Sequence, residues 1–239
     1  MTPQTVNANY EPTQNKFIVP AGVLNPVFFY KTPGIPDLIN FAAIGTVIGH
    51  ELTHGFDDQG AQYDEYGNLH NWWNNATMTE FDKRTKCLVD QYNAYPGPKF
   101  QREWCFLNDL FYVSFNLTEY SVGLNVQGDL TLGENIADNG GIRASYQAYK
   151  TMLEAGQLNE PKMAGFEDFT SDQLFFVSFG QLWCSVLTNA TRVKEFLRNP
   201  HAPGQFRVIG TLSNSPEFAK AFNCPIDSNM NPSNKCMVW

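Results

Sequence analysis

His50-Glu51-Leu52-Thr53-His54 matches the pattern H-E-x-x-H. On a helix, a spacing of four puts both imidazoles on one face, where they can share a single Zn²⁺. Glu51, beside the first histidine, can then reach a zinc-bound water. Zinc lowers the pKa of such a water to about 7 and polarises a carbonyl, while a carboxylate takes the proton. A catalytic zinc also needs a third protein ligand and an open position, commonly as two histidines and a glutamate. Glu134-Asn135-Ile136-Ala137-Asp138 offers one. On a helix Glu134 and Asp138 share a face, so Glu134 can complete the zinc shell while Asp138 holds a ligand imidazole in the right tautomer. The alternative, two acids on a helix surface, fits poorly with the surrounding Ile136, Ala137, Gly140 and Gly141, because a buried carboxylate needs a partner. A purely structural zinc site would close all four positions with Cys and His, and no fourth protein ligand is evident.

Two of the four histidines remain, His70 and His201. His201 sits in a turn six residues before Arg207. A positioned His or Arg can stabilise the oxyanion formed when a peptide carbonyl is attacked, and Arg can hold a substrate carbonyl with a two-pronged contact. From the residue types alone, a solvent-facing loop stays open for this pair. His70 reads as surface.

These residues must be held by particular elements. Residues 6 to 30 mix β-branched and aromatic residues with Pro and Gly, and read as short strands or extended segments joined by turns. From Asp37, a plausible cap, the run Leu38 to His54 is apolar on nearly every face and suits a buried helix. Asp57 to Trp73 reads as loop, and Thr79 to Tyr92 as a helix stopped by Pro96-Gly97-Pro98. Further helices are expected over Leu132 to Ala155 and Ser171 to Leu187. The Pro/Gly-rich stretch from His201 to Gly204 leads into Phe206 to Ile209, and the tail from Asn223 is loop-like. Residues 99 to 122 are densely aromatic and foreign to their surroundings.

The 239 residues carry 24 acidic and 16 basic side chains, a net charge of −8, with 43% hydrophobic content. This is a globular composition able to bury a large core, which excludes disorder and collagen-like repeats. No stretch approaches the roughly 18 to 20 apolar residues of a membrane span, and the polar opening shows no signal-peptide pattern. The sequence therefore reads as soluble, or as a fragment. Acidic charge without a Lys/Arg cluster argues against nucleic acid as a partner. Five dispersed cysteines contain no C-x-x-C and allow disulfides. With sequons at Asn75, Asn116 and Asn189, they favour an extracellular setting.

Taken together, the chain resembles the C-terminal catalytic region of the neprilysin / endothelin-converting-enzyme family of zinc endopeptidases. The matching blocks include Val6-Asn-Ala-Asn-Tyr10, Pro20-Ala-Gly22 with Phe28-Phe29, Val47 to Asp58, Trp72-Trp73, Gly133 to Gly141, Gln173 to Phe176, Trp183-Cys184, His201 to Gly204, Phe206 to Leu212 and Cys236-Met-Val-Trp239. They run from residue 6 to the end. The resemblance implies a thermolysin-like (gluzincin) catalytic domain, α+β but predominantly α with short N-terminal strands. It implies one Zn²⁺ per chain on His50, His54 and Glu134, Glu51 as general base and Asp138 as orienter. It further implies His201 as transition-state stabiliser and Arg207 as the clamp on a substrate carbonyl. Asn7 and Ala8 match the edge segment that pairs with a peptide backbone. Val23, Phe28, Thr46, Val47 and Trp183 fall where the family builds the apolar pocket for the residue after the scissile bond.

Residues 1 to 239 are read as one catalytic domain with an atypical insert at about 98 to 126. The family's large N-terminal helical lobe is not among these residues. Without it the cleft is open on one side and apolar surface is exposed, so aggregation, a partner or a membrane-anchored parent chain is expected. The resemblance pairs Cys87 with Cys236 and places the partners of Cys184 and Cys224 in the missing part, leaving two orphan thiols. The functional expectation is a zinc endopeptidase acting on short peptides, secreted or the ectodomain of a type II membrane protein. The alternative is a catalytically weak or inactive zinc-binding fragment that serves as a binding protein or antigen.

Overall fold

The computed structural model describes residues 1–97 and 123–239. Most of the insert expected at about 98 to 126, with Cys105 and the sequon at Asn116, lies outside the described residues. The chain opens with an antiparallel pair, β1 (Asn9–Glu11) and β2 (Lys16–Ile18), in which Asn9 faces Ile18 and Glu11 faces Lys16. The reversal is made by Asn15 at φ 44°, a left-handed position that Asn tolerates. Helices follow: α1 (Asp37–Asn40), a π-turn (Phe41–Gly45), α2 (Thr46–Thr53), α3 (Asn75–Asn93), α4 (Leu132–Glu154), α5 (Ser171–Gln181), α6 (Asn189–Arg198), α7 (Gly204–Ser213) and α8 (Pro216–Ala221). The predominantly helical α+β architecture with short N-terminal strands is present.

Several expected boundaries shift for local reasons. Asp37 is not the cap: Pro36 occupies that position, and the Asp37 carboxylate instead accepts from Asn159 N–H. Val27 to Tyr30 is a turn rather than a strand, because Phe28 N–H and Phe29 N–H both return to Asn25 O. Helix α3 starts earlier than Thr79, since the Asn74 side chain accepts from Thr77 N–H as an N-cap. A full capping box, Thr170 with Gln173, starts α5. That helix ends at Gln181 rather than Leu187, and Trp183 and Cys184 turn back by bonds to Gly180 O and Gln181 O.

Helix α4 is the axis of the molecule, because its two faces enter two different cores. Ile136 joins Leu88, Tyr92, Phe196, Phe206 and Val238. Ile142 and Tyr149 join Leu38, Leu174, Phe175, Phe179 and Leu212. The first core is closed by the Cys87–Cys236 disulfide, whose Cα atoms lie 5.4 Å apart. Cys184 is also disulfide-bonded, which corrects the expectation that it is an orphan thiol, whereas Cys224 is free.

Glycine lets α2 and α4 touch backbone to backbone. A Cβ on Gly141 would stand 2.7 Å from His50 N and 2.8 Å from Thr46 O, and one on Gly49 would stand 2.7 Å from Gly141 O. Any larger residue here would push the helices apart. This close approach carries the side chains of H-E-x-x-H onto those of Glu134 and Asp138.

Candidate active site

His50 and Glu51 lie in the last turn of α2, and His54 follows it; Glu134 and Asp138 lie one turn apart near the start of α4. Glu134 Oε2 is 3.1 Å from His50 Nε2 and 3.6 Å from His54 Nε2, while the two Nε2 atoms are 2.9 Å apart. The far side of each ring is anchored. His50 Nδ1 is 2.8 Å from Asp138 Oδ1, and His54 Nδ1 is 2.7 Å from Asp57 Oδ2. An ionised carboxylate only accepts, so each Nδ1 carries the hydrogen, and on a neutral ring each Nε2 points a lone pair inward.

Two imidazole lone pairs and a carboxylate oxygen therefore converge in a buried space. Glu134 Oε2 has no hydrogen-bond partner there despite its close neighbours, and only a cation satisfies all three atoms. The set of two nitrogens and one oxygen, with the remaining direction open to a cleft, fits zinc of the catalytic type. The electrostatics agree. Burial alone would lower the His54 pKa, but its hydrogen bond to Asp57 and the nearby Glu134 carboxylate override it and push it up to about 10. Burial would raise Glu134, yet His201, His50 and His54 hold it far below the usual carboxylate range. The carboxylates Asp57, Glu134 and Asp138 thus demand positive charge, which protons supply in competition with a divalent ion.

Asp57 was not singled out by sequence reasoning. It is pinned by Gln59 N–H at 2.8 Å and Gly60 N–H at 2.6 Å, both to Oδ1, which aims Oδ2 at His54. A carboxylate three residues after the second histidine was the available signal. Glu51 is buried, and that burial raises its pKa, aided by Glu134 and opposed by His50, His54 and Tyr10 N–H. A carboxylate made more basic beside the ligand set is suited to taking a proton.

Arg207, on α7, is buried and gives Asp138 both prongs, Nε to Oδ2 at 2.7 Å and Nη2 to Oδ1 at 2.6 Å. Its guanidinium stands 3.8 Å over the Trp183 ring. Asp138 is held at about 2 against the effect of its burial, by Arg207 first and His50 next. His201 comes from the turn before α7. Asn199 Oδ1 accepts from its backbone N–H and lies 2.9 Å from Nδ1, while Nε2 is 3.0 Å from Glu134 Oε2.

These groups floor a cleft of about 360 Å³. Asn7, Ala8, Tyr10, Val23, Phe28, Thr46, Val47 and Trp183 line it, with Leu182 added to the expected set. The structure thus brings together all the residues singled out in the sequence except His70, which is exposed as expected. Asn7 and Ala8 lead into β1, whose outer edge pairs with no strand among the described residues.

Residues 7–238 match the family model described as Peptidase family M13. The chain is 47% identical to an endothelin-converting enzyme homolog of Locusta migratoria, over 100% of this chain and 29% of that protein. It is 44% identical to neprilysin-11 of Caenorhabditis elegans, over 100% of this chain and 25% of that protein. Among solved structures, it superposes with a TM-score of 0.81 and 36% identity on the zinc metalloprotease Zmp1 of Mycobacterium tuberculosis in complex with an inhibitor. That match covers 100% of this chain and 33% of the other. A Haemonchus galactose-containing glycoprotein complex gives a TM-score of 0.82 at 37% identity, over 99% of this chain and 35% of the other. The chain spans from a quarter to just over a third of the lengths of these proteins.

Proposed function

Because the chain belongs to peptidase family M13, we propose that it hydrolyses peptide bonds of short peptides as a zinc-dependent endopeptidase, before a large apolar residue. The observation that carries this reading is the convergence of His50 Nε2, His54 Nε2 and Glu134 Oε2 on one another. His50, His54 and Glu134 would hold one zinc ion per chain. When bound, zinc supplies Lewis acidity, lowering the pKa of a water and polarising the scissile carbonyl.

The chain's own residues do the rest. Glu51 takes the proton of the attacking water and returns it to the leaving amine. His201, its Nδ1–H on Asn199, presents Nε2–H to the oxyanion when protonated. Asp138 and Asp57 fix the tautomers of His50 and His54. Arg207 reaches a substrate carbonyl through Nη1 or the second Nη2 hydrogen, since Asp138 takes only Nε–H and one Nη2–H. Asn7 and Ala8 offer an extended edge to the peptide backbone, and Val23, Phe28, Val47 and Trp183 an apolar recess to the following side chain.

Residues 1 to 239 are read as one catalytic domain working beside a further lobe in a longer, membrane-anchored or secreted parent. The two disulfide-bonded cysteine sites and the exposed sequons at Asn75 and Asn189 support an extracellular, glycosylated setting. Among the described residues no helix is long and apolar enough to cross a membrane. The second reading, an inactive zinc-binding fragment, is favoured by exposed apolar side chains such as Val186 at 90% and Ile226 at 67%.

Hydrolysis of a quenched peptide with a large apolar residue after the cleavage point separates the two, with zinc content measured in wild type and Glu51→Gln. One zinc in both proteins, with cleavage at least about 10²-fold slower in the variant, is expected for loss of a general base. Zinc without cleavage in either would replace the peptidase reading with the second.

A further inference from the structure

The recess beside the metal-ligand set has one wall that, after a single 3-10 turn at Ala21–Val23, no sheet or helix builds. Residues 22–30 form a chain of turns stapled by Asn25, whose Nδ2 donates to Gly22 O and whose Oδ1 accepts from Val27 N–H. Phe28 projects from this segment into the cleft. What fixes the wall against the body of the molecule is the start of the long helix. Tyr30 N–H donates to Asn40 Oδ1 at 2.7 Å and Asn40 Nδ2 donates to Tyr30 O at 2.8 Å, so the amide side chain imitates a backbone partner. One residue turn later the helix widens, with Thr46 N–H reaching back five residues to Phe41 O, and from within this π-turn Ile44 N–H donates outward to Phe28 O at 3.0 Å. Ser145 on α4 satisfies Phe41 O at 2.5 Å, and Gly45 leaves room for it: a Cβ there would meet Ser145 Oγ at 2.6 Å.

A π-turn inside a helix costs stability and persists where it does something for the molecule. Here it supplies an outward-facing amide, and it sits immediately before the turn carrying Thr46 and Val47, which line the same recess. We infer that Asn40 and the π-turn are the positioning device for substrate selectivity, holding the Phe28 wall at the depth that favours a large apolar side chain after the scissile bond. This rests on the reading of the cleft as a peptide site, though not on catalysis itself. Asn40 touches no reacting atom in this scheme; it acts through the wall. A large side chain gains its advantage by packing against Phe28, whereas a methyl group does not reach it, so loosening the wall removes preference first.

The test uses the zinc-loaded full chain and three hydroxamate-capped amino acids carrying an Ala, Leu or Phe side chain, with affinities read by calorimetry. Cleavage of peptides with the same three residues is followed in parallel as separate kcat and KM. Wild type is expected to prefer Leu or Phe over Ala by about tenfold or more. Asn40→Ala, with zinc content and helicity retained, is expected to lower that preference about tenfold, the loss of two ordinary hydrogen bonds, through KM rather than kcat. Asn40→Asp keeps the bond from Tyr30 N–H and opposes the one to Tyr30 O. It provides a milder variant, expected to fall between the two, should the alanine protein not fold.

Equal affinity of wild type for the three ligands, or full preference in either variant, would overturn the inference. Selective binding lost in the variants by a protein that cleaves nothing would support the inference and refute the proposed activity. Cleavage with unaltered selectivity in the variants would do the reverse, and no binding at all would overturn both.

Discussion

The metal-ligand part of the cleft and the wall of residues 22–30 are built on different physics. On the ligand side the groups are charged or chargeable and mostly buried or half-buried, and the two carboxylates that orient the histidines are themselves held. Asp138 is gripped by Arg207 and grips His50; Asp57 is gripped by two backbone amides and grips His54. In a low-dielectric interior such pairs are strong, and an unpaired survivor is costly. The wall of residues 22–30 is tied to α1 and the π-turn by neutral hydrogen bonds, with a further one from Gly22 N–H to Pro3 O. Neutral bonds contribute modestly and can shift without leaving a buried charge. The reacting geometry is thus over-determined while the selectivity surface is tunable, so rate and preference are separable by mutation.

The sharpest way to break that contrast is at Asp138. Asp138→Ala leaves the Arg207 guanidinium buried without its partner, and the expected loss is about 3–5 kcal/mol of stability, read by denaturant unfolding, together with loss of zinc. Asp57→Ala removes one ring's orienter without stranding a buried cation. It is expected to cost about 10–100-fold in zinc affinity by competition with a chelator, with a smaller loss of stability. Both effects should dwarf that of Asn40→Ala on stability. A protein in which Asn40 proved the costlier position would invert the comparison.

How far these regions were legible in the sequence follows from the same difference. Charged groups at fixed helical spacing advertise themselves: His50, Glu51 and His54 in one segment, and Glu134 and Asp138 in another, were readable because i, i+4 geometry is local. Their meeting was not local, since it depends on Gly49 and Gly141 letting two helix backbones touch. Asp57 was overlooked because a loop of Gly, Asn and Asp offers several carboxylates and no periodicity to choose among them. The π-turn left no trace in a run that is apolar on nearly every face, where one extra residue shifts nothing visible. Helix α6, with only Phe196 fully buried, was missed because its first turn reads as a polar Thr-Asn-Ala-Thr loop. The orphan status expected for Cys184 came from the resemblance, and the structure replaced it with a disulfide.

The smallest expected effect concerns the other end of the wall's anchor. Glu160 accepts from Leu38 N–H through Oε1, while its Oε2 is buried without a partner. Burial, aided by Asp37 and opposed by the Leu38 bond, pushes its carboxyl up to about 7. The folded state therefore favours the neutral acid. That contribution is fully present below the ordinary carboxylate pKa and is lost as pH rises through about 7. Glu160→Gln, neutral at every pH, should be relatively more stable than wild type at pH 8 than at pH 5, read as the shift in denaturant midpoint between the two proteins. A constant difference across that range would remove Glu160 from the account.

The most direct test of the central claim is the zinc stoichiometry of wild type beside Glu134→Gln, measured by metal analysis after dialysis and by competition titration. The account predicts one tightly held zinc in the wild-type chain, with a raised melting temperature on loading, and at least a tenfold weaker site in the variant. Retention of one equally tight zinc by Glu134→Gln, or none in wild type, would contradict the assignment of His50, His54 and Glu134 as a metal centre.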